Sequence, residues 1–583
     1  MKSLVNGNWI GLVLLVFSCA GPSVSEKDKL FDIIASNEAF EQQEFSSLTD
    51  NYNRLPDMSE SALKKRADFT RDIISQLKAI DQSQLSFEDQ ITLKLFQFVQ
   101  EDKVAQYDLK GYLNPILADD GFHISFAFTP EHFSFTSKQD FLDYIGVLES
   151  FPQYVDQHIA LMRRGLEIGM VQPKVILKDY EVTYDNHLVE DMRQSLFFQP
   201  FLSLPNQLSA EEKQDLIKKG EQAVRNGAIA GYQQFSEFMT NEFVPKTRTS
   251  IGANELPEGE EFYKQRIKYY TTLELSPDSI HQLGLQEVAR IKGEMEKIIE
   301  EVNFEGSFAE FLDFLRTDPQ FYAKTPEELL KEAAWISKSM DGKMPKLFGK
   351  LPRQPYTVKP VPDHLAPKYT GGRYSPGSLD ANQPGEYWVN TYALESRPLY
   401  VLEALSFHEA VPGHHLQEAL SRELTHLPDF RQSLYLSVFG EGWGLYSEFL
   451  GLEAGFYKDP YSNFGRLTYE MWRACRLVVD TGIHAKGWTR DQVMEYMAAN
   501  TALSLHEIKT ETDRYISWPA QALSYKIGEL KIKALRKKTE EQLGDQFDIR
   551  EFHDLILSQG TVTLEIMEEM VERYIEDKLS NKE

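Results

Sequence analysis

Apolar residues recur at intervals of three and four along most of this chain. The spacing predicts amphipathic helices over Leu63 to Ile80, Phe141 to Leu161, Ala210 to Phe243 and Ser276 to Val302. Two starts carry their own punctuation. Thr325-Pro326-Glu327-Glu328 puts a capping hydroxyl ahead of a proline at the first helical position and a Glu at the third. Ser276-Pro277-Asp278 is a similar start. The texture changes near residue 350. Leu351 to Pro367 is rich in Pro and β-branched residues, Tyr369 to Gly377 is turn-rich, and Glu386 to Tyr392 reads as a strand. Two short strands joined by a long Gly/Pro loop form a wall for a cleft. After residue 397 the chain is helical again, with the last strong helices at Pro519 to Leu543 and Leu564 to Lys578. The pattern predicts a mainly α fold with a small β-hairpin or sheet. It divides into an N-terminal helical lobe, 30–345, and a C-terminal helical lobe, 346–583, that carries the short strands.

The first residues follow a different rule. Lys2 is the only early charge, and Ile10 to Phe17 form an apolar run too short to span a bilayer. Ser18-Cys19-Ala20-Gly21 follows at once. A weakly basic start, a short apolar core and small residues at a cut site read as a secretory signal over 1–18. Val16-Phe17-Ser18-Cys19 resembles a bacterial lipobox, which implies acylation of Cys19 as the mature N-terminus. Residues 19–29 then form a tether, and the protein is expected in the periplasm or cell envelope. With Cys19 lipidated, Cys475 is alone and no intrachain disulfide can form. Cys475 lies in an apolar helical stretch and reads as a small buried hydrophobe.

Composition excludes some functions. Of 583 residues, 42% are hydrophobic and 12% aromatic, enough for a large core. The formal charge of −27 argues against nucleic acid or an anionic membrane face as partner.

The densest chemistry lies at Phe407-His408-Glu409-Ala410-Val411-Pro412-Gly413-His414-His415. In the usual HExxH helix two histidines one turn apart hold zinc, and the Glu between them acts on a water. Here Pro stands where the second histidine belongs. On an unbroken helix His415 would come back onto the His408 face. Pro412 and Gly413 make a break the better expectation, and a bulge there favours His414, with His415 as the alternative. A site of this kind needs a third protein ligand and one open position. Glu441, 27 residues after His414, suits a helix, a turn and a second helix packed on the first. Gly440, Gly442 and Gly444 around it suggest close approach of another backbone or a metal site. Glu448 shares a helix face with Glu441.

His408 to Gln417, together with Glu441-Gly442-Trp443-Gly444-Leu445-Tyr446, resembles the bacterial family known as domain of unknown function 885, whose members carry HExxPGHH and EGWALY-like motifs. Two later blocks agree, Arg473 to His484 and Asp513 to Lys526. The specific likeness runs from about 350 to 530. It implies a helical fold akin to neurolysin-like and carboxypeptidase-Taq-like metallopeptidases, with a deep channel between two helical lobes. Glu441 also resembles the third ligand of gluzincin peptidases.

A peptidase needs a donor for the oxyanion of its tetrahedral intermediate. Tyr525 is the preferred candidate and Tyr515 the other. Arg514 can hold a substrate carboxylate or pair with Asp513 or Glu511. His484, four residues after Asp480, reads as a structural partner of that residue or as an alternative ligand. Arg473 and Arg476 suit carboxylate partners such as Glu441 or Glu448. Tyr387, Asn390 and Tyr392 are expected to line the cleft, with the strand backbone free to pair with an extended peptide. The expectation is one zinc per chain on His408, His414 and Glu441. Glu409 serves as general base and acid on short peptides. The rivals are a metal-dependent hydrolase of another amide or ester, and a lipoprotein that keeps the fold for binding alone.

Overall fold

The structure, a computed structural model, describes residues 24–580 apart from 50, 364, 365, 367, 368 and 379–381. The signal segment and Cys19 lie outside the described residues. The protein is mainly helical, as its periodicity predicts. The four long apolar-periodic stretches each form helix, and their starts follow the expected chemistry. Ser276 caps Pro277–Glu301 through the N–H of Ser279. Thr325 caps Pro326–Asp341 through the N–H of Glu328. The Glu328 carboxylate reaches back one residue further than a capping box requires, to the N–H of Lys324.

One hydrophobic core runs from Ile91 to Ile575, continuous across residue 345. A smaller one, Leu30 to Phe96, joins the first helices. The helix Pro277–Glu301 packs along Pro460–Lys486, the most deeply buried long helix. Gly284 permits that approach, since a Cβ there would meet the Leu477 and Val478 side chains at 2.8 Å. Among the described residues, no helix is long and apolar enough to cross a membrane.

The sheet differs from the expected pair of strands. It has three: β1 (Tyr356–Pro360), β2 (Gly372–Ser375) and β3 (Gly385–Val389), in the order β1-β3-β2. β1 runs parallel to β3 and β2 antiparallel to it. The turn-rich stretch thus contains a strand of its own. β3 ends before Asn390, whose amide instead donates to the carbonyls of Ala366, Tyr369 and Thr370. With neighbours on both sides, β3 has no backbone edge to offer a peptide. The edge strand next to the His-Glu motif is β2, whose outward Tyr374 N–H is taken by the Glu409 carboxylate.

Candidate metal centre

The His-Glu pair closes its helix, Leu402–Glu409. The chain then turns through Ala410 to Gly413, with a cis Val411–Pro412 peptide bond, and His414 opens a second helix that runs to Arg422. Pro412 has no N–H with which to continue the first helix. Gly413 is held so close to the preceding turn that a Cβ would lie 1.9 Å from the carbonyl oxygen of His408. The Trp443 indole N–H donates to the Pro412 carbonyl at 2.8 Å and ties the turn to the helix Ser437–Glu453. The expected bulge is therefore a full break into two helices. His414 is the histidine it brings to His408.

Glu441 comes in from the Ser437–Glu453 helix. That helix lies almost in backbone contact with Ser524–Leu543, because a Cβ on Gly442 would meet the Cα of Gly528 at 2.6 Å. His408 Nε2 stands 3.3 Å from Glu441 Oε2, and His414 Nε2 stands 3.4 Å from the same oxygen. One ligand atom from each of the three residues falls within 4.8 Å of the others. A tetrahedral zinc with bonds of about 2.0–2.1 Å sets its ligand atoms about 3.3–3.4 Å apart. The donor types suit that ion, and the two His–Glu separations match its tetrahedral edge.

The surroundings fix these side chains. Glu448, one of the most buried carboxylates, takes His408 Nδ1 at 2.8 Å, which leaves Nε2 for the cluster. Arg473 approaches the same Glu448 oxygen at 3.7 Å. The Tyr435 hydroxyl donates to Glu441 Oε1 at 3.0 Å and leaves Oε2 to the histidines. Burial opposes charge on His408, but hydrogen bonds to Glu441 and Glu448 hold its pKa up at about 10. His414 is raised in the same way, against burial, by Glu441. Burial also opposes ionisation of Glu441, yet the two imidazoles hold its carboxyl well below the usual range. A field that favours protons on both imidazoles also favours a divalent cation in their place.

Glu409 turns from the cluster's helix toward the sheet. Its Oε2 accepts the N–H of Tyr374 at 2.8 Å, on the edge of β2 that faces away from β3. Next to it Arg373 is accessible to solvent. The surrounding protein opposes its charge, but Tyr369, Glu409 and Glu441 more than offset this and raise its pKa. Glu418, one turn after His414, is raised by burial.

The other expected residues divide. Tyr525 lies beside the cluster, its ring 6.4 Å from that of His408, and its hydroxyl has no hydrogen-bond partner among the described residues. The Tyr515 hydroxyl is buried and accepts from Trp472 and Arg476, so it is not available to a substrate. Arg514 pairs with Glu511 at 3.1 Å and also donates to Gln521. His415 meets the Tyr374 hydroxyl at 3.0 Å through Nδ1, and burial lowers its pKa to about 4. It belongs to the sheet contact rather than to the cluster. His484 does not pair with Asp480. Its Nδ1 accepts the N–H of Ala253 and its Nε2 faces the Tyr515 carbonyl, each about one hydrogen bond away at 3.0 and 2.9 Å, far from a ligand's role. Tyr387 is fully buried with its hydroxyl 3.3 Å from Ser406, and Asn390 is buried as the loop clasp described above. Tyr392 is exposed. Cys475 is a buried free thiol. Tyr435, Tyr374 and Arg373 were not singled out by sequence. Arg373 lies in the quoted turn-rich stretch, but no spacing marks Tyr435.

A family model for "Bacterial protein of unknown function (DUF885)" matches residues 41–571. The chain belongs to this family. The DUF885 match thus extends well beyond the 350–530 region that carries the motifs, into the N-terminal helices. No curated protein matches the chain. Among the solved structures that resemble it, two are described as a "putative lipoprotein". One, from Colwellia psychrerythraea, is 28% identical with a TM-score of 0.86, covering 95% of this chain and 100% of that one. The other, from Shewanella oneidensis and of unknown function, is 18% identical with a TM-score of 0.73, covering 94% and 100%; it bears on the fold alone.

Proposed function

We propose that this DUF885 protein is a zinc-dependent hydrolase of peptide bonds in short peptides, anchored outside the cytoplasm by a lipid on Cys19. The observation that carries the reading is the convergence of His408 Nε2, His414 Nε2 and Glu441 Oε2, with both His–Glu separations near a tetrahedral edge and Glu409 next in sequence to His408. A zinc ion on these three residues supplies Lewis-acid chemistry to a water and to the substrate carbonyl.

The chain's own residues do the rest. Glu409 takes the proton of the attacking water as its oxygen bonds to the carbonyl carbon. The Tyr525 hydroxyl, otherwise unengaged, donates to the oxyanion that forms. When the C–N bond breaks, Glu409 returns the proton to the leaving amine. Tyr435 and Glu448 hold the ligand side chains in place. The lipoprotein description of the similar Colwellia structure supports the anchor at Cys19.

Elemental analysis of the protein starting after Cys19 tests the centre. The expected result is about one zinc per chain, lost or sharply reduced in Glu441→Ala. Glu409→Gln should keep the metal and lose hydrolysis of a peptide panel by about 10²–10⁴-fold. A wild-type protein that takes up no zinc when it is supplied would remove the basis of this reading.

A further inference from the structure

A cavity of about 250 Å³ is lined by Leu402 and Leu405 of the His408 helix but by none of His408, His414 and Glu441. Leu329, Val401 and Leu503 extend its apolar wall. Some of its polar groups are spent within the fold. Arg316 donates to the carbonyls of Ala498, Thr501 and Leu503, and the Asn390 amide clasps its own loop. Four others are not. The Arg397 guanidinium pairs with no carboxylate among the described residues, and its Nε reaches only the Tyr392 carbonyl, at 3.4 Å. The Glu507 carboxylate and the Tyr469 hydroxyl line the same cavity with no hydrogen-bond partner among the described residues. Thr468, also in the lining, is fully buried, and its hydroxyl is unpartnered too. Polar groups withdrawn from water and left without partners are costly, so four of them on one small cavity point to a ligand that completes them.

These groups converge. A Cβ on Gly371 would stand 3.9 Å from the Tyr469 hydroxyl and 4.0 Å from Arg397 Nη1. Burial pushes the Glu507 carboxyl up to about 7, and Arg397 is the strongest influence in the other direction. Burial and then Glu507 push the Tyr469 hydroxyl well above its ordinary value. A cation and a carboxylate thus face one cavity without closing on each other, and an apolar wall stands beside them. That arrangement narrows the chemistry. A phosphate would meet one free guanidinium against Glu507 and the exposed Glu395. A fatty acid would satisfy Arg397 and leave Glu507 without a partner. An extended peptide needs more room, since sites for drug-sized ligands run to about 300–1,000 Å³. A small zwitterion with an apolar body satisfies both charges and the wall.

We propose that this cavity binds a free α-amino acid with a large apolar side chain. Arg397 pairs with its carboxylate, Glu507 pairs with its ammonium, and Leu329, Leu402 and Leu405 pack its side chain. The Tyr469 and Thr468 hydroxyls supply further hydrogen bonds to the two charged heads. The site shares no residue with the His408, His414 and Glu441 cluster, so it does not depend on the peptidase reading.

The test is titration calorimetry on the protein that starts after Cys19, with L-leucine, N-acetyl-L-leucine, L-leucinamide and glycine as probes. Leucine should bind once per chain, and each of the others at least tenfold more weakly, because each leaves a charged head or the apolar wall unserved. Arg397→Gln should weaken leucine at least tenfold and leave leucinamide unchanged. Glu507→Gln should weaken leucine as much and leave N-acetyl-leucine unchanged. Arg397→Lys and Glu507→Asp cover the case in which a neutral variant folds poorly; they keep the charges and should keep the order of the four probes. Leucine should bind equally with and without zinc. No leucine binding at millimolar concentration, equal affinities for the four probes, or uniform weakening of all probes by both Gln variants would overturn the proposal. Binding that requires zinc would place the amino acid at the cluster and overturn it as well. Leucine binding in protein that cleaves no peptide would uphold this site while the peptidase reading fails.

Discussion

At Gly413 the candidate metal centre depends on one missing side chain. A Cβ there would lie 1.9 Å from the His408 carbonyl oxygen and 2.4 Å from that of Phe407, both backbone atoms that cannot swing aside. Gly413→Ala must therefore push the His414 helix away from the His408 helix. Overpacking of this kind costs about 1–3 kcal/mol. Zinc per chain, measured after gel filtration, should fall well below the wild-type value, and thermal unfolding should move to lower temperature. Gly293→Ala is the control: a Cβ there meets nothing within 4 Å, inside a helix, and the exchange should be neutral or stabilising by up to about 1 kcal/mol. Undiminished zinc in Gly413→Ala would mean that the break is not what seats His414. The clustered residues were legible because their pattern is rare and locally spaced: a His-Glu pair, a breaker, a histidine, then a glycine-flanked Glu. Tyr435 and Arg373 were not, because each reaches the site from a loop or edge strand whose position is set by tertiary packing. Tyr515 shows the converse error. It stood in a motif block beside Tyr525, but only the fold reveals that its hydroxyl is spent on Trp472 and Arg476.

Between elements, Asp480 joins three pieces of chain just ahead of the Tyr525 helix. Its carboxylate accepts the Tyr263 hydroxyl at 2.6 Å and the N–H of Ala520 at 3.1 Å, and Ala520 holds a left-handed φ of 69°. Burial pushes its pKa up to about 7, only partly countered by the bonds from Tyr263 and Ala520. Since the folded-state value exceeds the ordinary one, the folded protein binds this proton more tightly than the unfolded chain. The stabilisation is fully present below about pH 4 and is lost as pH rises to about 7, a change on the order of a few kcal/mol. Asp480→Asn cannot ionise and escapes that loss. Its melting temperature, compared with wild type at each pH, should look worst near pH 4, improve up to about pH 7 and level off above it. A difference that stays flat across that range would show that Asp480 is not the titrating group. Helical elements were readable from period and caps, since both are local. The sheet was read as two strands because the Gly/Pro signature of residues 369–377 hides a four-residue strand that exists only by pairing with β3.

Across the whole molecule, the strongest polar tie runs through Lys526, next to Tyr525 in sequence. Its ammonium is fully buried and lies 3.0 Å from Glu287, 2.8 Å from Glu470 and 2.8 Å from Glu529. Glu287 belongs to the helix Pro277–Glu301, Glu470 to Pro460–Lys486 and Glu529 to Ser524–Leu543. One cation thus pins the helix that carries Tyr525 to the long buried helix and to a helix from the first half of the chain. The three carboxylates outnumber it, and the buried Arg466 and the half-exposed Arg290 supply further positive charge through Glu470. Charges this deep are held by mutual pairing, so removing the central one leaves its partners buried and uncompensated. Breaking such a group by deleting one member costs about 3–5 kcal/mol. Lys526→Met should therefore lower the denaturant midpoint substantially and also weaken zinc retention, because Gly528 on the same helix packs against Gly442 beside Glu441. Lys533 pairs with Glu529 at the more accessible end of the network, and Lys533→Met should cost no more than about 1 kcal/mol. If the two variants lose equal stability, the network is a surface feature and not the joint that holds the His408–His414–Glu441 cluster to the rest of the chain.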